Sequence, residues 1–224
     1  DGKYRLILKT DAETLSLCSL SYERLGDADE KPVAELSYDM KLWASFNDWS
    51  GQDMQRNGDD LIWWCEADVP AGGGEFGIKN AAMDGWYSSE NNSKNIVLEE
   101  GHYMFFIELE VVDGKPVLKD EIIAEEPAYY VVGTCGNAGW AADANAENTA
   151  YKMTEQDSKY VLTVTFTEDE TVDWAENKVA FKVAYGCGGK VANENWFGAE
   201  GMDNVTVDPG TYTITFDPAT GAVT

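Results

Sequence analysis

Residues 193–200 read NENWFGAE, two large aromatic rings side by side in a polar, glycine-containing stretch. An exposed indole offers a flat apolar face, and nearby Lys, Asn and Glu supply hydrogen-bond donors and acceptors at fixed places. In a chain this acidic, a neutral or cationic ligand is compatible with such a set. Adjacent residues point in different directions, so Trp196 is expected to face outward while Phe197 anchors inward. Lys182 alternates with Phe181 and Val183 and is expected on the face opposite them. A similar aromatic pair, Trp86 and Tyr87, stands in GWYSS at 85–89.

Catalytic chemistry has little to work with. His102 is the only histidine, which argues against Ser-His-Asp, Cys-His and multi-histidine metal arrangements. No GxSxG, Walker or dinucleotide fingerprint occurs. Glycoside hydrolysis needs two carboxylates across a cleft. The 41 acidic residues leave that open by count, but duplicated units of roughly 90 residues are small for such a cleft. A binder and not an enzyme is expected. DANAE at 143–147 places oxygen ligands on alternate residues but lacks the Gly and final Glu of a calcium loop. No metal and no cofactor are expected.

The net charge is −25, and it is spread along the chain: 24 acidic and 11 basic residues in 1–120, 17 acidic and 5 basic in 121–224. Such a surface repels phosphate backbones and anionic membranes, which excludes nucleic acid as a partner. No apolar run approaches the ~18 residues that span a bilayer. Of the four cysteines, Cys135 and Cys187 lie in Gly-rich turns and could pair if the protein is exported. Cys18 and Cys65 lie in strand-like runs and read as buried thiols.

The elements that must position these residues are strands. Alternating runs such as YRLILKT, DMKLWASF, LIWWCEADV, HYMFFIELEVV, KYVLTVTFT and TYTITFD are separated by Gly, Asp, Asn and Pro. This pattern predicts an all-β protein of β-sandwich type. KNIVLEEGHYMFFIE at 94–108 aligns without a gap with DNVTVDPGTYTITFD at 203–217, matching Asn95 to Asn204, Gly101 to Gly210 and Tyr103 to Tyr212. EFGIK at 75–79 parallels VAFKV at 179–183. The expectation is two tandem immunoglobulin-like β-sandwich modules, 38–120 and 127–224. KDEIIAEEP joins them, and residues 1–37 would add strands packed on the first. Within LIWWCEADV, Trp63 shares parity with Cys65 and reads as core. Trp64 shares parity with Glu66 and Asp68 and reads as exposed, on a ligand platform or a module contact.

The second module resembles the starch-binding β-sandwich modules found beside amylases and pullulanases: the X25-type modules, carbohydrate-binding module families twenty-five and twenty-six, and those of gut bacterial starch-binding surface proteins. The resemblance runs through a strand ending in Gly, Trp140 in the loop after it, FKVAY, NENWFG, DNVTV, GTYTITFD and TGAV. It implies non-catalytic binding of α-1,4-linked glucan, starch or a maltooligosaccharide. The residues it implies are Trp140, Lys182, Asn195 and Trp196, with approximate counterparts Trp49, Lys79, Trp86 and Tyr87 in the first module. Trp43 and Trp64 are further candidates. It also implies a secreted or cell-surface bacterial setting. The chain begins at Asp1 without a signal peptide and reads as a monomeric piece of a larger multimodular protein.

Physics is compatible with that ligand. A glucose ring has an apolar C–H face that an indole covers at little entropic cost. Sites of about −4 to −6 kcal/mol correspond to Kd values from about 1 mM to tens of μM, and two linked modules can raise avidity about a hundredfold. The competing reading is a structural or protein-docking module of a bacterial surface protein, in which the same aromatics are packed or contact a protein.

Overall fold

A computed structural model describes residues 3–10, 17–26, 39–80, 85–89, 94–112, 115–136, 150–199 and 203–224, with backbone alone for 3–10, 17–26 and 115. Among these residues the chain is all-β, its only helical turns being short 3-10 segments. The strands are β1 (Lys3–Thr10), β2 (Leu17–Gly26), β3 (Met40–Ala44), β4 (Gln52–Asp53), β5 (Gln55–Arg56), β6 (Ile62–Val69), β7 (Gly74–Asn80), β8 (Gly85–Tyr87), β9 (Ile96–Leu98), β10 (Gly101–Val112), β11 (Lys115–Leu118) and β12 (Ile123–Glu125). They continue with β13 (Ala128–Gly133), β14 (Thr154–Gln156), β15 (Lys159–Phe166), β16 (Val179–Cys187), β17 (Lys190–Phe197), β18 (Val205–Val207), β19 (Gly210–Asp217) and β20 (Ala222–Val223).

Pairing is antiparallel throughout and follows one plan twice. In the first half, β4-β3-β7-β8 forms one sheet, with β9 also on β7, and β5-β6-β10-β11 forms the other. In the second half, β13-β16-β17 with β18 on β16 faces β14-β15-β19-β20. The repeat holds at the level of single pairs. Gly101 pairs with Val69 as Gly210 pairs with Phe166, and Phe76 pairs with Ile96 as Phe181 pairs with Val205. Even a side-chain device recurs: the Ser45 hydroxyl accepts the Glu75 N–H at 3.0 Å, and the Thr134 hydroxyl accepts the Ala180 N–H at 3.1 Å. The hairpin β1–β2 pairs with itself alone among the described strands.

Each half has its own core between its two sheets. Leu42, Trp63, Phe76, Ile78, Phe105 and Ile107 fill the first. Val131, Phe166, Phe181, Val183, Ile214 and Phe216 fill the second. A third cluster joins the halves: Trp64, Met104 and Phe106 from the first pack on Cys187 and Ala192 from the second. The strand sequences record this difference. In β19, Tyr212, Ile214 and Phe216 face the core while Thr211, Thr213 and Thr215 face out, giving clean alternation. In β10 both faces are covered, so Tyr103–Ile107 is an unbroken apolar run.

Polar contacts fasten the same junction. Asn57 accepts the Asn193 N–H at 2.7 Å and donates to the Val191 carbonyl at 3.4 Å, so its amide engages the edge of β17 as a neighbouring strand would. Lys190 reaches Glu108 at 2.6 Å, and Lys119 bonds the same carboxylate. The linker takes part as well, since β12 pairs with Met104–Phe106 of β10.

Two sequence expectations change here. Cys135 and Cys187 form no disulfide: both are free and buried, Cys135 in the second core and Cys187 at the junction, where its thiol faces the Met104 carbonyl. Desolvation pushes the Cys65, Cys135 and Cys187 thiols up to about 12. Trp64 carries no ligand platform. It is 7% exposed and sits in the junction, because the face it shares with Met104 and Phe106 is the one the second half covers.

Candidate functional site

The outward face of the β13-β16-β17 sheet brings the aromatic and polar candidates together. Phe197 turns inward and packs at a tilt against Phe216, 4.7 Å between ring centroids, while Trp196 turns to the other side, opposite Ala184. Lys182 lies on that outer side too, since Phe181 and Val183 on either side of it are in the core. Trp196 leans on an apolar patch of Tyr130, Val132 and Ala184. Its packed base leaves one edge of the indole free to line an open cleft of about 590 Å³.

That cleft is lined by Trp174, Lys182, Trp196 and Asn204. Strand alternation gives no signal for Trp174, which is the most exposed of the described tryptophans, at 60%. It sits in the 3-10 turn Asp173–Ala175, whose neighbour Ala175 is buried and anchors the turn. The turn closes through bonds from the Ala175 N–H to the Val172 carbonyl and from the Val172 N–H to the Lys178 carbonyl, both 3.1 Å. Its sequence, VDWAENK, has a tryptophan among acidic and amide residues, the same signal that drew attention to NENWFGAE. Asn204 was matched to Asn95 as a repeat landmark, and its place in the cleft is new. Two indoles can grip the apolar face of a ligand, and the Lys182 ammonium and Asn204 amide can bond its polar edge.

Asn195 stands apart from this set. It lies on the other side of β17 from Trp196, and its amide nitrogen is buried with no hydrogen-bond partner among the described residues. Trp140 and the 143–147 stretch lie outside the described residues.

The first half places its candidates differently. Trp86 occupies the position of Trp196, because it pairs with Lys79 as Trp196 pairs with Ala184. Tyr87 occupies the position of Phe197 and is 6% exposed in the first core, so it offers no platform. Lys79 is not the positional counterpart of Lys182. With Phe76 and Phe181 equivalent, Gly77 takes the place of Lys182 and Lys79 that of Ala184, two residues further along the same face. The glycine matters: a Cβ at Gly77 would come 2.3 Å from Cζ2 of Trp86, so this indole lies across the sheet where a lysine stands in the second half. Trp43 pairs with Gly77, is half-buried, and has the Lys79 ammonium 5.8 Å from its ring centroid. Trp49 is half-buried in a left-handed turn with φ 55. The link between β6 and β7 is only residues 70–73, against 167–178 between β15 and β16, so Trp174 has no counterpart in the first half.

His102 lies elsewhere, on the β6–β10 face, with Nδ1 2.8 Å from Asp68 and Nε2 3.1 Å from Glu66. Desolvation alone would lower its pKa; the hydrogen bonds to Asp68 and Glu66 outweigh that and raise it.

These sheets define a tandem β-sandwich protein with an aromatic-lined surface cleft on its second unit. No protein-family model matches the chain, and no curated protein matches it in sequence. Among solved structures the chain is similar to SusF from Bacteroides thetaiotaomicron, at 14% identity and a TM-score of 0.34, over 83% of this chain and 46% of that one. The chain thus spans less than half the length of that protein. A likeness this distant carries no argument about ligand or mechanism, and the functional reading rests on the site itself.

Proposed function

We propose that the protein binds α-1,4-linked glucan without catalysing its reaction, through the cleft on the second module. The observation that carries this reading is the convergence of Trp174, Trp196, Lys182 and Asn204 on one open cleft. The two indoles come from separate elements, a turn and a strand end, which lets them be mutually inclined. A coiled glucan presents successive sugar faces that are inclined to each other, and a cleft of this volume has room for a few sugar units. The resemblance of 127–224 to starch-binding modules supports the same ligand. It also supports a secreted or cell-surface bacterial setting as part of a larger protein. The lone histidine is engaged by two carboxylates on a different face, which fits a binder rather than an enzyme. The Trp43, Lys79 and Trp86 face of the first module is a secondary, weaker contact for the same polymer.

Titration calorimetry with maltoheptaose, with cellohexaose as control, tests the proposal. Heat with the first and none with the second is expected. A folded chain that takes up no glucan, and whose Trp174 and Trp196 surface instead captures a protein, would establish the docking alternative.

A further inference from the structure

We propose that Glu170 is the positioning residue of the cleft: its carboxylate ties Thr167, at the head of the segment that leads into the Trp174 turn, to Gly136 and Tyr151. The proposal rests on the glucan-binding reading. Oε2 accepts the Thr167 N–H at 2.6 Å and the Thr167 hydroxyl at 3.2 Å. That much is local capping of the 3-10 turn Glu168–Glu170 and needs one oxygen. The other oxygen reaches away from the turn. Oε1 accepts the Gly136 N–H at 2.6 Å and the Tyr151 hydroxyl at 3.4 Å. Gly136 and Tyr151 flank the stretch whose sequence contains Trp140.

The Glu170 backbone extends the network. Its carbonyl accepts the Thr134 hydroxyl at 2.7 Å, and that hydroxyl accepts the Ala180 N–H at 3.1 Å, two residues before Lys182 in β16. Trp174 follows four residues after Glu170, in the turn closed on Val172 and Lys178. One side chain and its own carbonyl therefore tie together the end of β13, the chain returning at Tyr151, Thr167 at the head of the segment that leads into the Trp174 turn, and the start of the Lys182 strand. A cleft built from a turn and a strand end keeps its ring separation only if such supports hold.

All four donors to the carboxylate are uncharged, so the network depends on having two acceptor oxygens and not on a salt bridge. Glutamine has one acceptor oxygen and one NH2 group, which would face an N–H at either Gly136 or Thr167. Glu170→Gln is therefore expected to behave almost like Glu170→Ala, although it preserves volume and hydrogen-bonding capacity in general.

The test combines maltoheptaose titration with amide hydrogen exchange on the intact chain, Glu170→Gln and Glu170→Ala. Both variants are expected to lose about tenfold in affinity and to exchange faster at 134–136, 150–153 and 167–178. Ile107→Val, a truncation inside the first module's own core, serves as the control for lost stability and is expected to bind as the intact chain does. Glu170→Gln binding with unchanged affinity, or exchanging no faster in those segments, overturns the proposal. If the intact chain takes up no maltoheptaose, the glucan reading fails. The exchange data still decide on Glu170 in that case: acceleration confined to those segments supports its positioning role, and unchanged exchange overturns it.

Discussion

Replacing Asn57 with alanine isolates the polar fastening between the two modules. The side chain is buried and makes one short bond, from the Asn193 N–H at 2.7 Å, and one long bond, to the Val191 carbonyl at 3.4 Å. Alanine removes both partners' partner at once, leaving a donor and an acceptor at a strand edge that the first module continues to cover. An unsatisfied group of this kind costs about 1–3 kcal/mol, and the long bond adds little, so a loss of about 2 kcal/mol is expected. For a chain of this length that corresponds to a fall of about 4–8 °C in Tm. Urea unfolding followed by tryptophan fluorescence measures it, and the midpoint should fall while the m-value holds. Asn57→Asp keeps the acceptor for Asn193 but sets a carboxylate against the Val191 carbonyl, so it should lose at least as much as alanine. The turn that presents Asn57 is equally constrained: Gly58 has φ +65, and a Cβ there would come 2.6 Å from the Asn193 side-chain amide. A loss below about 0.5 kcal/mol for Asn57→Ala, the range of an ordinary surface substitution, would refute the reasoning.

Other outcomes follow from the same structure. Trp64→Ala should cost about 3–5 kcal/mol in urea unfolding, the range for emptying a buried tryptophan site, whereas loss near that of a surface residue would mean the modules do not dock through it. His102 has a raised pKa in the folded chain, so its contribution to stability is present below the unfolded value of about 6.5 and lost as pH rises through the folded one. The stability difference between the intact chain and His102→Gln should therefore be larger at pH 5.5 than at pH 8.5, and a difference that grows with pH would contradict this. A thiol reagent at pH 8 should leave Cys65, Cys135 and Cys187 unlabelled in the native chain and reach them after denaturation, because burial holds all three near 12.

Alternation carried much of the fold into the sequence. It separated Phe197 from Trp196 and Phe181 from Lys182, since a period of two assigns each side chain to one face of a sheet. It also assigned Trp63 and Trp64 to opposite faces, but parity says only which way a residue points and not what covers it. What covers Trp64 is a hairpin more than a hundred residues downstream, and the one trace of it in the sequence is the unbroken apolar run of β10. The Lys79 and Lys182 correspondence failed because short strands carry few landmarks. A two-residue shift keeps every side chain on its own face, so the pattern cannot detect it. Cysteine pairing was illegible for a related reason: Gly-rich flanks looked alike, while one thiol belongs to a core and the other to a junction. Trp174 escaped notice because an isolated 3-10 turn has no periodicity, and only its polar setting marked it.

The most direct test is calorimetric titration of the intact chain, Trp174→Ala and Trp196→Ala with maltoheptaose. Heat from the intact chain, with affinity lost about tenfold or more in each variant, is the expected result. Equal heat and affinity in all three chains would contradict the placement of the glucan site in the cleft between those two indoles.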